Sequence, residues 1–283
     1  MKRLDFGHSE CENGRGKLAQ LGKTMATPEW NSLDRFEETF PVFDCAFLDI
    51  LGYKERVAGY FNHDFNLFGR INRALDTVVT CKTLASPLLD MSDLTVEIVS
   101  DSIIIMQPHR ARGLGTILLF SCWFSANLSY EGLLIRGGIA RGRHSRKKTT
   151  QGFDFLASEA LQKAYLLEHE RAKSPRILID EDLIAGLSNE DKGLIIRERD
   201  EFILHFAHHV INREGLNVND VHAEMEELQH EKNNNPDVRV QAKYQWLLDY
   251  YHWTISHNRK LNSAVFAGFS SGEDRGFAAM VSQ

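Results

Sequence analysis

VFDCAFLDILGY, residues 42–53, is the stretch on which the fold turns. An apolar run rich in aromatic and branched residues ends in Asp49, and Gly52 follows shortly after. Such a run reads as a buried strand. Gly52 permits a sharp turn, so the strand delivers a carboxylate at its C-terminal end. A second run, VEIVSDSIIIM at residues 96–106, has two apolar halves around Ser100, Asp101 and Ser102. It reads as a tight hairpin. If the two strands pair, Asp49 and Asp101 converge on one edge of a sheet. Taken singly, Asp49 reads as a helix cap and Asp101 as a turn former. Taken together they read as a hard-cation site, because paired carboxylates suit oxygen-seeking divalent ions.

Outward from there the chain alternates helix and strand. Residues 54–84 carry apolar side chains at helical steps, among them Val57, Phe61, Phe65, Phe68, Leu75 and Val79. Pro108 ends the second hairpin strand. GTILLFSCWFSANLS at 115–129 is apolar nearly all round and reads as a buried helix. Residues 133–141 read as a strand and 143–148 as a basic turn. Residues 158–172 form an amphipathic helix with Leu161, Ala164, Tyr165 and Glu168 at helical spacing, and 175–180 a short strand. That order predicts an α+β fold, a ferredoxin-like βαββαβ core with helices on one face of the sheet. Beyond about residue 190 charged residues and histidines become more frequent, 233–236 mark a loop, and 238–255 read as a helix. Residues 263–283 read as a tail.

Two local patterns lead nowhere. Gly22, Lys23 and Thr24 end like a phosphate-binding loop, but the glycine that pattern needs at position 17 is Lys17. His205, His208 and His209 have zinc-compatible spacing without the acidic base of H-E-x-x-H, and are not read as a metal site.

The bulk properties narrow the class. The chain has 283 residues, 43% of them hydrophobic, and a formal net charge of −6. An acidic chain is not expected to hold nucleic acid stably. The four cysteines are scattered, and Cys45 and Cys122 sit in apolar runs as buried thiols. No secretory leader is read at residue 1, and no apolar run reaches the roughly 18 residues of a membrane span. A cytoplasmic protein is the expectation.

The motifs carry a resemblance. FLDILGY at 47–53 resembles the first metal motif of class III nucleotide cyclases, F-x-D-[IL]-x-G-[FY]. Ser100, Asp101 and Ser102 are similar to the second metal aspartate of that family, and RGGIARG at 136–142 to its R-x-G-I-x-x-G strand. EALQKAYLLE at 159–168 is similar to its D-x-V-N-x-A-x-R-L-E helix. The order F-[IL]-D-I-L-G, S-D-S, R-G-G-I, K-A-Y-x-L-E, then Pro175, Arg176 and Ile177, resembles most closely the pyrimidine cyclases of Pycsar antiphage systems. The resemblance covers about residues 42–182.

The resemblance implies a domain plan and a site. Residues 1–38 would be an N-terminal extension, 39–185 the catalytic domain, and 186–283 a helical C-terminal region packed on it. The reaction would close a nucleoside triphosphate, UTP before CTP, to a 3′,5′-cyclic monophosphate. Two manganese or magnesium ions would sit between Asp49 and Asp101, with the Ile50 carbonyl as a further ligand. Leu51, Gly52 and Tyr53 would offer backbone N–H groups to the phosphates. Arg136, Arg141 and Gln162 would touch the substrate. Tyr53 reads equally as a pocket aromatic or a core residue. The family's ribose Asn is Gln162 here, and its charge-stabilising Arg is Leu166. Lys163 would stand in for that arginine, its other reading being an exposed helix lysine. The basic residues 143–148 read as a solvated turn or as a triphosphate contact. The family's head-to-tail arrangement implies a homodimer, and its biology a downstream effector that senses the cyclic nucleotide. The alternative is a catalytically inactive cyclase-like nucleotide sensor.

Overall fold

The structure is a computed structural model that describes residues 39–85, 89, 91–110, 113–148, 150–207, 218–257 and 275–280. The described residues from Phe40 onward belong to one compact unit. The expectations for residues 1–38, including Lys17 and Cys11, lie outside the described residues.

The central strand β1 (Val42–Ile50) packs on both faces. Successive side chains of a strand point to opposite sides. Ala46, Leu48 and Ile50 therefore enter the main core, while Cys45 enters a smaller one with Phe47 packed against it. This two-sided burial is why the sequence is apolar almost without interruption. β1 pairs antiparallel with β3 (Ser102–Pro108) and with β4 (Ile135–Lys148). β2 (Thr95–Val99) completes the hairpin with β3, and Ser100 turns it with φ 57.

Between β1 and β2 run α1 (Tyr53–Phe61) and α2 (Leu67–Ala85). The sequence pattern predicts one helical stretch here. The chain breaks at 62–66, where Asn62 ends α1 and His63 takes φ 62. α3 (Gly113–Tyr130) packs the even-residue face of β1 and is buried nearly all round, as its composition requires.

β4 runs past the expected strand end. Residues 143–148 are strand and not turn, paired with β5 (Asp154–Ser158). α4 (Glu159–Leu166) continues into a wide turn, Leu167–Arg171, and covers the opposite face of β1 and β4 from α3. Helices thus cover both faces of the sheet, against the expectation of one. Two glycines let α4 lie directly on β4. A Cβ at Gly138 would stand 2.2 Å from the Ala164 carbonyl oxygen, and one at Gly142 2.6 Å from the Ala160 nitrogen.

β6 (Ile177–Ile179) joins β4 in parallel. The sheet then continues through short strands that periodicity did not announce, while the helix read over 238–255 is present. α5 (Asn189–Lys192) precedes the hairpin of β7 (Ile195–Glu198) and β8 (Glu201–Leu204). α6 (Val218–Asn234) and α7 (Val238–Ser256) form a helix pair. β9 (Phe277–Ala279) pairs with β7, so part of the expected tail is strand. Among the described residues the order is β2-β3-β1-β4-β6-β8-β7-β9, with β5 attached to β4. The fold is α+β, a mixed sheet around a palm-like core with added C-terminal helices. No helix among the described residues is long and apolar enough to cross a membrane.

The small groups behave as packing. Cys45 and Cys122 are buried, and burial pushes the Cys45 thiol up to about 12 and Cys122 up as well. His205 sits after β8 with Nδ1 2.9 Å from the Tyr250 hydroxyl. His208 and His209 lie outside the described residues.

Candidate active site

Register brings the charged groups together. Asp49 lies opposite Arg136 on β4 and opposite Ser102 on β3, and the Ile50 N–H donates to the Asp101 carbonyl at 2.9 Å. Asp49 and Asp101 do converge at the strand ends, as the sequence predicts. Arg136 occupies the space beside them. Its Nε is 3.3 Å from Asp49 Oδ2 and 2.6 Å from Glu168 Oε1. The Glu168 contact is an ion pair off the hydrogen-bonding angle, since Oε1 has no hydrogen-bond partner among the described residues. Nη1 donates to the Ala172 carbonyl at 3.5 Å.

The carboxylates are held in tension. Burial pushes the Asp49 carboxyl above its ordinary value, Arg136 opposes the shift, the Asp101 charge adds to it, and Lys243 on α7 opposes it again. Burial likewise raises Glu168, against Arg136 and with Asp49. Each carboxyl therefore takes a proton more readily than in water, while one guanidinium favours the ionised form of both.

The two-ion site is not built. Among the described residues no group of three or more His, Cys, Asp or Glu side chains converges in a way that could hold a metal ion. Magnesium and calcium take six or more oxygen ligands, and manganese prefers a similar all-oxygen set. Here Asp49, one of the expected donors, is already engaged by the Arg136 guanidinium. The expectation of manganese or magnesium on Asp49, Ile50 and Asp101 is corrected on that ground.

Other expected contacts separate. The Leu51 N–H donates to the Leu134 carbonyl at 2.8 Å and so is not offered to a phosphate. Gly52 takes φ 70 and begins α1 without a side-chain cap, leaving the turn intact. Tyr53 packs partly buried against the main core, which favours its core reading. Arg141 faces the other side of the sheet, where its Nε donates to Asp44 Oδ1 at 2.6 Å. Asp44 is fully buried and also meets His109 Nδ1 at 3.2 Å, so Arg141 holds a structural ion cluster.

Gln162 and Lys163 are exposed on α4. Gln162 lines a cavity of about 420 Å³ with Phe40, His144, Ser158 and Glu159. The His144 ring stacks on Phe43 at 4.1 Å, and its buried Nδ1 has no hydrogen-bond partner among the described residues. Burial, then Arg146, keeps this imidazole below its ordinary pKa. The basic strand end is largely self-paired. Arg143 Nε donates to Glu159 Oε2 at 2.9 Å and holds that carboxyl down to about 2, and Arg146 pairs with Glu97 and Asp154.

Sequence reasoning placed Glu168 on the packing stripe of α4 but not in the site. A glutamate on an otherwise apolar helical stripe was the available signal. Lys243 had no such signal.

No family model matches the chain, and no curated protein matches it. Among solved structures it is similar to the adenylyl cyclase CyaB from P. aeruginosa, at 13% identity over 63% of this chain and 98% of that one, TM-score 0.43. It is similar to the guanylate cyclase domain of RhGC from Catenaria anguillulae, at 9% identity over 58% of this chain and 96% of that one, TM-score 0.38. A class III adenylyl cyclase-like ATP-binding protein from Pseudomonas aeruginosa aligns at 12% identity over 59% of this chain and 38% of that one, TM-score 0.40. A likeness at these identities and TM-scores assigns neither substrate nor reaction.

Proposed function

We propose that the chain is a nucleotide cyclase that converts a pyrimidine nucleoside triphosphate, UTP before CTP, to its 3′,5′-cyclic monophosphate and pyrophosphate. The observation that carries this is the cluster of Asp49 and Arg136, at the ends of paired strands, with Glu168 of the turn after α4. The base preference rests on the motif resemblance alone. So does the wider role, a cytoplasmic second messenger read by an effector in antiphage defence.

The reaction forms one bond from the ribose 3′-oxygen to the α-phosphorus and breaks the bond from that phosphorus to pyrophosphate. Asp49, its carboxyl pushed up by burial, accepts the 3′-hydroxyl proton. Arg136 turns a donor toward the α-phosphoryl oxygens as negative charge grows there. Glu168 keeps that guanidinium in position. Gln162 contacts the ribose and Lys163 the phosphates. The resemblance alone supplies the homodimer in which those two residues, five and six positions before Glu168, meet the same substrate from the second subunit.

A second reading is a nucleotide sensor without turnover. It is favoured by the engagement of Arg136 with both carboxylates and by Leu166 at the family's arginine position. The separating experiment incubates the purified chain with ATP, GTP, CTP and UTP in turn and identifies products by mass. Cyclic UMP supports the cyclase. Saturable UTP binding with no cyclic product supports the sensor. Neither binding nor product removes both.

A further inference from the structure

Away from Asp49, a cavity of about 370 Å³ opens between α1, α2 and the helix pair α6–α7. Its volume is in the range of small-molecule sites, about 300–1,000 Å³. One wall is cationic. Arg56 and Arg70 each hold a guanidinium carbon 4.9 Å from the Phe65 ring centroid. Backbone carbonyls fix both side chains. Arg56 Nη2 donates to Gly132 O at 2.7 Å and Arg70 Nη1 to Glu131 O at 2.6 Å. A guanidinium has five N–H donors, and each of these makes only that one hydrogen bond among the described residues.

The facing wall is anionic. Glu227 and Glu231 line it from α6, and Tyr244 from α7. Arg56 senses this wall. Burial lowers its pKa, Tyr244 and Glu231 offset the shift, and Arg70 adds to it. Yet among the described residues none of these glutamates reaches ion-pair distance of either arginine. Flexible side chains of opposite charge commonly close on each other across a narrow gap, at little cost or gain. Here the arginines are tied back on one side and the glutamates stand on the other, with the cavity between.

We propose that this cavity binds a small zwitterion of the α-amino-acid class. Its carboxylate would sit on Arg56 and Arg70, and its ammonium on Glu227 and Glu231. A simple anion would face the glutamates unpaired, and a simple cation would face the guanidiniums. Only a ligand with both charges satisfies both walls. The Phe65 ring and Leu228 supply an apolar surface for the body of the ligand. This assignment does not depend on the cyclase reading, because its test is binding and not turnover.

The experiment is isothermal titration of the full chain with glycine, leucine, glutamine, lysine and glutamate, with succinate and pentane-1,5-diamine alongside. At least one amino acid binds saturably, and neither the dianion nor the diamine matches it. Arg70→Ala and Glu231→Gln each weaken that binding about tenfold, the loss of one charge-assisted contact. Glu231 is exposed, so Glu231→Gln leaves the fold intact even if Arg70→Ala does not. Absence of binding by every amino acid overturns the proposal. So does equal binding of succinate or the diamine, or unchanged affinity in Glu231→Gln.

Discussion

The two ends of α4 treat polar groups in opposite ways. At the C-terminal end Arg136 closes on both Asp49 and Glu168, so its guanidinium is engaged within the chain. At the N-terminal end Gln162 stands at an open cavity beside a buried imidazole nitrogen with no hydrogen-bond partner among the described residues. The same helix, seated on one strand by Gly138 and Gly142, thus has an ion-paired end and an open end. A charged cluster can do chemistry only when substrate competes for it. An exposed amide at a cavity, as at Gln162, has only water to displace. Under the proposed function these are two halves of one site, joined only when a second copy brings its α4 to the first copy's Asp49.

The largest effect expected from breaking that comparison is at Asp49. Asp49→Asn lowers cyclic-nucleotide production at least about 100-fold, the usual contribution of a positioned proton acceptor. Gln162→Ala is inactive or nearly so by the same assay. Co-expressing the two variants restores roughly a quarter of wild-type activity, from random pairing in a two-fold dimer. No recovery in the mixture removes the shared site. Next comes Gly138→Ala, whose Cβ has nowhere to go beside the Ala164 carbonyl. Forcing the helix off the strand costs about 1–3 kcal/mol, read as a lower melting temperature. An unchanged melt would mean that α4 does not depend on this close approach.

Much of this frame was legible beforehand, for a physical reason. β1, the β2–β3 hairpin, α3 and α7 declare themselves by apolar runs and periodicity, and their burial follows that pattern. The convergence of Asp49 and Asp101 followed from strand pairing alone. What the sequence hid were long-range choices. Arg136 and Arg141 look alike in one basic strand, yet their positions differ by an odd number of residues and so face opposite sides. Nothing local says that one guards a buried aspartate and the other the candidate site. The metal expectation failed for a similar reason, since counting carboxylates does not reveal that a guanidinium on the neighbouring strand engages one of them. The strands β5, β7, β8 and β9 are short, three to five residues each, below the length at which alternation is readable.

Smaller effects sharpen the contrast. Lys163 is exposed, and Lys163→Ala raises the apparent KM for the triphosphate several-fold if it reaches substrate across the dimer, the scale of one exposed charge contact of about 1 kcal/mol. Unchanged kinetics return it to the exposed surface. The least effect is in the pH dependence of stability. Burial raises Asp49 and Glu168 in the folded chain, so the folded state holds their protons more tightly than the unfolded state does. The contribution of these two groups to stability is therefore greatest below the ordinary carboxylate range. It falls as pH rises from the unfolded value through the raised folded one, and levels off above it. Glu168→Gln removes one of the two groups, and the melting temperature then declines less across that window than in the wild type. A decline of the same size in both proteins would mean that Arg136 already cancels the burial of Glu168, and that this ion pair adds no pH dependence at the C-terminal end of α4.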